Sequence, residues 1–252
     1  MKIQYKMENK NEYLFGMHPV TEAVESNKKI EKVLFRQGLD GLQFHKLLKL
    51  LQDKDIPVQF VPEERLNRVT RGRHQGVIAQ ISPVEYVSVE SITEAALASG
   101  PAPVILLLDG VSDVRNFGAT ARTAECGGVS GIILPAKGGA AVNADAIKAS
   151  AGALLRVPTA KVPNLKTALY YLLESGFQII AATEKAEKTI YELDFKQPTA
   201  IIMGSEEKGI SDSLLALSTE QARIPLGGKI GSLNVSVAAS VIIFEAVRQK
   251  SV

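Results

Sequence analysis

From residue 104 onward, short apolar runs recur along the chain: VILLLDG (104–110), GIILP (131–135), FQIIAATE (177–184), TAIIMG (199–204) and ARIPL (222–226). Their apolar residues fall at successive positions rather than at every second one. Strict alternation marks a strand with one face in water, whereas a continuous short run marks a strand buried on both faces, as in a parallel sheet. Between and after these runs, the segments 120–126, 144–154, 165–174, 211–217 and 235–249 carry helical spacing. Strands alternating with helices predict a doubly wound α/β domain, whose ligands sit outside the carboxyl ends of the strands. The loops after DG, after MG and after IPL are therefore the places to look for chemistry.

The first third of the chain reads differently. KVLFR (32–36), PVQFVP (57–62) and GVIAQIS (76–82) predict strands, LQFHKLLKLLQDKD (42–55) an amphipathic helix, and a short polar helix falls between the last two strands. This predicts a small α/β sandwich over residues 1–85. Residues 86–102, a short helical stretch with a Gly-Pro-rich exit, read as a linker, and 103–252 as the second domain.

Composition narrows the class. With 252 residues, 46% hydrophobic and 22% charged, the chain resembles a soluble globular protein with ample core. No apolar stretch reaches the roughly 18 residues of a membrane span. The opening MKIQYKMENKNEY has no apolar signal core, so a cytoplasmic location is expected. A single cysteine, Cys126, excludes an internal disulfide, and His18, His45 and His74 lack metal-ligand spacing, so no metal is expected. The net charge of +2 is uneven: residues 1–80 carry 14 Lys and Arg against 10 Asp and Glu, a balance of +4. A basic first block suits contact with a polyanion, and it equally suits ordinary solvated surface.

Each of the three loops admits a structural and a functional reading. In DGVSDVRNFGATARTAE (109–125) a polar loop with Asn116 and Gly118 leads into a helix whose first turns hold Arg122 and Thr123. A cation is disfavoured at a helix N-terminus, unless it reaches out to a phosphate or carboxylate that a guanidinium grips with two hydrogen bonds. The alternative is Asn116 as helix cap and Arg122 as plain surface. In IIMGSEEKGIS (201–211), Gly204 ends a buried strand where a ligand can approach the backbone, and Glu206 offers an acceptor. The alternative is an acidic loop leading to a helix capped by Ser211. In IPLGGKIGSLNVSVAAS (224–240), Ser232, Asn234 and Ser236 alternate before a helix of small residues. Capping accounts for one of the three comfortably, not for all.

Together the loops resemble the three motifs of the SpoU (TrmH-type) branch of the SPOUT RNA methyltransferases. They read N-x-G-x-x-x-R-T (Asn116, Gly118, Arg122, Thr123), G-S-E-x-x-G (Gly204, Ser205, Glu206, Gly209) and I-P-L-x-G-x-x-x-S-L-N-V-S-V-A (Ile224 to Ala238). EYLFGMHPVTEAV and RGRHQGVIAQ in the first block resemble the ribosomal-protein-like RNA-binding domain of the rRNA-acting members. The resemblance implies a deep trefoil knot, S-adenosyl-L-methionine as cofactor, and a homodimer. It implies that main chain near Gly204, Ile224 and Leu233 holds the adenosine part, with Gly227, Gly228 and Gly231 in tight turns around it. It further implies a site of Asn116, Arg122, Glu206, Ser232 and Asn234, with Arg71, Arg73 and His74 as RNA contacts. Arginine stays charged at physiological pH, so gripping phosphate and orienting the ribose suit Arg122 better than accepting a proton. The implied reaction is 2′-O-methylation of a guanosine in 23S rRNA. Alternatives are the same chemistry on tRNA or another rRNA nucleotide, or a non-catalytic RNA-binding ribosome-assembly factor.

Overall fold

The computed structural model describes residues 13–26, 28–70 and 72–251. The chain divides into two compact units, Met1–Pro83 and Val84–Val252.

The first unit comprises β1 (Tyr13–Phe15), α1 (Met17–Glu25), β2 (Ile30–Arg36), α2 (Leu42–Asp53), β3 (Val58–Val61), α3 (Glu63–Val69) and β4 (Val77–Ile81). Its sheet runs β1-β4-β2-β3, with β2 and β3 parallel and the other pairs antiparallel. On one face α1 and α2 bury Val20, Val24, Phe44, Leu47 and Leu51 against Val33, Phe35, Val77 and Ala79. On the other, Leu66 of α3 packs with Leu34, Val61 and Ile78. Strands covered on both faces explain why VIAQI and VLF read as continuous apolar runs.

The second unit comprises α4 (Val89–Ser99), β5 (Val104–Asp109), α5 (Val114–Cys126), β6 (Gly131–Pro135), α6 (Ala144–Ala149), β7 (Thr159–Val162), α7 (Leu165–Glu174), β8 (Gln178–Ala182), β9 (Thr199–Gly204), α8 (Asp212–Leu215), β10 (Glu220–Ala222) and α9 (Val235–Lys250). The six strands are all parallel in the order β10-β8-β9-β5-β6-β7. One apolar layer joins the sheet to α5, α6 and α9 and the other to α4, α7 and α8, so the sheet is covered on both faces. Leu106, Leu108, Phe117 and Ile201 are fully buried in the first layer, Leu107, Ile202 and Leu169 in the second. Each such side chain contributes about 1.5–3 kcal/mol by leaving water. No helix among the described residues is long and apolar enough to cross a membrane.

Several elements depart from the sequence expectations. Residues 86–102 are not a linker: α4 buries Val89, Ile92 and Ala96 in the second layer. The helix expected from 120 begins at Val114, because Asp113 caps it by accepting from the N–H groups of Arg115 and Asn116 (2.9 and 2.8 Å). Gly118 lies inside that helix, since a Cβ there would strike Ala149 of α6; it marks close helix packing rather than a loop. The helix expected over 144–154 stops at Ala149, where Ala151 (φ 51°) and Gly152 (φ 84°) turn left-handed before a 3-10 turn, Ala153–Leu155. β10 ends at Ala222, so Ile224 to Leu226 lie outside the strand predicted for them. β7 was not among the predicted strands, because its four residues, TAKV, hold only two apolar positions, Ala160 and Val162.

Candidate active site

Four adjacent strands, β10-β8-β9-β5, end at the same edge of the parallel sheet, and the loops leaving them converge there. After β9 the chain closes a tight loop: Ser205 and Gly209 exchange backbone hydrogen bonds (3.2 and 2.8 Å), and Lys208 N–H donates to Ser205 Oγ (3.2 Å). Gly204 lies directly against the backbone of Gly209, and a Cβ there would collide with it. Glycine is required at this strand end by close backbone approach. After β5, Asp109 Oδ2 accepts from Ser211 N–H (2.8 Å), fixing the exit of that loop.

The tight loop presents Glu206 to the start of α9. Glu206 Oε1 accepts three hydrogen bonds: from Asn234 Nδ2 (2.6 Å), from Asn116 Nδ2 (3.1 Å) and from the Val235 backbone N–H (3.2 Å). Asn234 Nδ2 also donates to Asn116 Oδ1 (2.9 Å), so both of its hydrogens are used. Asn234 Oδ1 accepts from Ser236 N–H (3.0 Å) and Ser236 Oγ (2.6 Å), which makes Asn234 the cap of α9. A carboxylate beside the first turn of a 16-residue helix is stabilised by the orphan N–H groups and the dipole there. The Glu206 cluster thus holds together residues from three segments, the first turn of α5, the loop after β9 and the start of α9, 28 to 118 positions apart in sequence. Glu206 Oε2 makes no hydrogen bond among the described residues and stays open to a ligand.

Beside this cluster lies a cleft of about 360 Å³, with Gly204, Ile224, Gly231, Ser232 and Leu233 in its lining. Met203, Ala222 and Ile242 supply an apolar part, while Glu184, Lys185 and Glu206 supply charge. Gly204, Ile224, Leu233 and Gly231 thus gather around one cavity. Gly227 and Gly228 are not in its lining. Nor do Gly227, Gly228 and Gly231 adopt positive φ, and a Cβ at any of them would meet no atom of the chain. Their backbone takes conformations open to any residue, with a bend at Gly228 and Lys229.

The remaining expected site residues stand apart. Ser232 lines the cleft but is exposed and bonds to nothing among the described residues. Arg122 is exposed and unpaired among them. It lies in the third turn of α5, so the dipole objection to a cation at a helix start does not apply to it. Six residues separate it from Asn116, which in a helix is about 9 Å along the axis and on another face. In the first unit, Arg73 is exposed, whereas His74 is buried, with its Nε2 bonded to Asn67 Oδ1 (3.0 Å) and its Nδ1 accepting from Gly76 N–H (3.0 Å). Both ring nitrogens are committed inside the unit, which leaves His74 as a turn lock and not an RNA contact. Arg71 lies outside the described residues. The sequence reading missed Asp113 and the Val235 N–H. An Asp three residues before Asn116 was the available signal for the first, and the N1 position after a capping Asn for the second.

Fold and site together define an α/β protein with a ligand cleft at the carboxyl edge of its sheet and a polar cluster on the cleft's lip. Comparison with known proteins gives the family. Residues 103–244 match the SpoU rRNA Methylase family and residues 13–87 the model described as RNA 2′-O ribose methyltransferase substrate binding. The chain belongs to the SpoU family of RNA methyltransferases. It is 34% identical over 239 to 241 residues to relatives that include the 23S rRNA (guanosine-2′-O-)-methyltransferase RlmB of Pseudomonas aeruginosa, covering 95% of this chain and 97% of that one. YacO of Bacillus subtilis, named for the TrmH family of tRNA/rRNA methyltransferases, is 30% identical over 97% of this chain and 98% of its own. Among solved structures, the AdoMet-bound rRNA methyltransferase of Sinorhizobium meliloti superposes with TM-score 0.61 at 25% identity, covering 94% of this chain and 87% of that one. The SpoU methyltransferase AviRb of Streptomyces viridochromogenes, in complex with AdoMet, shares the fold with TM-score 0.61 at 22% identity, covering 97% and 95%.

Proposed function

We propose that this protein transfers a methyl group from S-adenosyl-L-methionine to the ribose 2′-hydroxyl of a guanosine in 23S rRNA. The observation that carries the reading is the Glu206 cluster, which fastens Asn116, Asn234 and the start of α9 together on the lip of the cleft. The cleft fits the cofactor in kind: its size lies within the roughly 300–1,000 Å³ of small-molecule sites, and it combines an apolar part with carboxylates. Gly204, lacking a side chain, leaves main chain at its floor, and Ile224, Gly231 and Leu233 flank it. When bound, the cofactor supplies a methyl group on a positively charged sulfur.

The chain's own groups position the acceptor. The second Asn116 Nδ2 hydrogen and Glu206 Oε2 are the groups left to orient a ribose, with Ser232 and Asn234 completing the lip. Positioning of this kind supplies much of the rate in a group transfer. Arg122, exposed and unpaired among the described residues, grips a phosphate of the RNA and holds its charge there. The hydroxyl proton leaves to water or to a nearby carboxylate.

The same reading includes the deep trefoil knot and a homodimer. Supporting the first, the terminal segment is tied to the 188–195 connection at both ends. Arg223 exchanges backbone bonds with Lys188 and Ile190 (both 2.9 Å), and Gln249 bonds to Leu193 O and Phe195 N–H (both 2.9 Å). Supporting the second, α9 carries Val237 and Phe244, each nearly half exposed and seven residues apart on one stripe, which suits burial by a second copy.

The choice of 23S rRNA follows RlmB, whose likeness extends through both units, and the first unit supplies the RNA-binding surface. The test is transfer of labelled methyl to unmodified 23S rRNA and to unmodified tRNA, followed by nucleoside analysis. Label in 2′-O-methylguanosine from rRNA alone is expected. Label in tRNA instead overturns the substrate while keeping the chemistry.

A further inference from the structure

We infer that Phe15 is a stacking platform for an unpaired base of the RNA substrate, an inference that rests on the RNA reading of the first unit. In β1, successive side chains point to opposite faces of the sheet. Leu14 joins the apolar layer under α1 and α2, and Tyr13 the layer under α3. Phe15, opposite Ile78 in the register, falls on Tyr13's side, yet 40% of it remains exposed.

A single exposed aromatic residue is ordinary; the support around this one is not. A Cβ on residue 72 would lie 2.7 Å from Phe15 Cε2 and 3.0 Å from Cζ, so the ring rests against bare glycine backbone. That backbone is fixed by the Gly72 N–H bond to Thr70 Oγ1 (3.0 Å), at the end of α3. The turn that follows is locked in three places: His74 to Asn67, Gly76 to His74, and Met17 N–H to Gln75 Oε1 (3.1 Å). One edge of the ring is therefore backed by this turn, and 40% of the residue is open to water. Two cations sit close in sequence to the glycine that backs the ring. Arg68, in the last turn of α3, and Arg73, adjoining Gly72, are both exposed and make no ion pair among the described residues.

A half-open aromatic ring set on a segment that carries two unpaired arginines matches what single-stranded RNA offers, a flat π-face joined to phosphates. An apolar protein partner would favour a broader apolar patch without unpaired cations. Gly72 is then kept small for the sake of the ring, and His74 serves RNA binding only by holding the turn.

The protein contains no tryptophan. Phe15→Trp therefore introduces a sole indole at the site, and a base stacked on it quenches its emission. Titration with transcripts of 23S rRNA is expected to give saturable quenching that tracks RNA binding measured by filter retention. Phe15→Leu, which keeps apolar bulk, is expected to weaken RNA binding about 5- to 150-fold, the loss of one stacked base. Its S-adenosylmethionine affinity and unfolding midpoint should match the wild type. Bound RNA with an unquenched indole, or wild-type affinity in Phe15→Leu, overturns the platform and leaves the RNA reading standing. An affinity loss matched by a falling unfolding midpoint also overturns it, making Phe15 a packing residue. Absence of RNA binding by the wild type overturns both readings at once.

Discussion

The two walls of the cleft are built in opposite ways. On one, residues 204–209 close on themselves through backbone bonds, and Glu206 is clasped by three N–H groups from two other segments. On the other, residues 224–233 form no hydrogen bond among the described residues and no regular element, and Ile230 is 80% exposed. The glycines mirror the contrast: Gly204 is forced by its contact with Gly209, while Gly227 and Gly228 have open space where a side chain would stand. One wall is fixed by the fold alone. On the function proposed above, the other gains its partners from the cofactor it binds, so its composition answers to the ligand rather than to folding.

The strongest way to break this contrast is Gly204→Ala. Its Cβ would strike the backbone of Gly209, so strand end and loop must separate. Overpacking of this kind costs about 1–3 kcal/mol. Thermal unfolding should register that loss, and calorimetry should detect no cofactor binding. Next comes Glu206→Ala, which removes the shared acceptor of Asn116, Asn234 and Val235. Because the cluster borders water, the stability loss should stay near 1 kcal/mol. The methyl-transfer rate should fall about 100-fold, since misplacement by an ångström is enough for that. Equal rates for variant and wild type would dissolve the cluster's role.

A third test concerns the end of α9 remote from the cleft. Arg248 donates two hydrogen bonds (both 2.8 Å) to the buried Glu245 and Gln249 a third (2.7 Å). Arg248, with Gln249 and against the opposing effect of burial, holds the Glu245 carboxyl below its ordinary value of 4.5. A depressed pKa stabilises the fold above the unfolded value and loses that contribution as pH falls through the folded one. Glu245→Gln should therefore cost about 1–2 kcal/mol at neutral pH, with the gap to wild type closing below about pH 4 in chemical denaturation. The smallest effect is expected from Gly227→Ala and Gly228→Ala. With no clash and no positive φ, the free protein should change by less than about 0.5 kcal/mol. Any loss should appear only in the extra stability conferred by S-adenosylmethionine.

The same division explains what the sequence made legible. Apolar runs such as VILLLD and TAIIMG located central strands because burial on both faces leaves a local signature. The three loops were found because strand carboxyl ends gather ligands, and Asn116, Glu206 and Asn234 do meet there. The start of α5 was misplaced because Gly118 reads as a loop residue locally, and its true reason, contact with α6, is tertiary. For the same reason α4 passed for a linker, since what covers Ile92 and Ala96 lies elsewhere in the chain. His74 looked like an RNA contact among arginines, and only the partners on both of its nitrogens mark it as a turn lock.

The most direct test is amide hydrogen exchange of the full chain, free and with saturating S-adenosylmethionine. Amides of Ser205, Lys208, Gly209, Val235, Ser236 and Ala238 are expected to be protected already in the free protein, and those of 227–233 to exchange fast until the cofactor slows them. Unchanged fast exchange across 227–233 in the loaded protein would contradict this division, as would unprotected amides of Ser205, Lys208 and Gly209 in the free one.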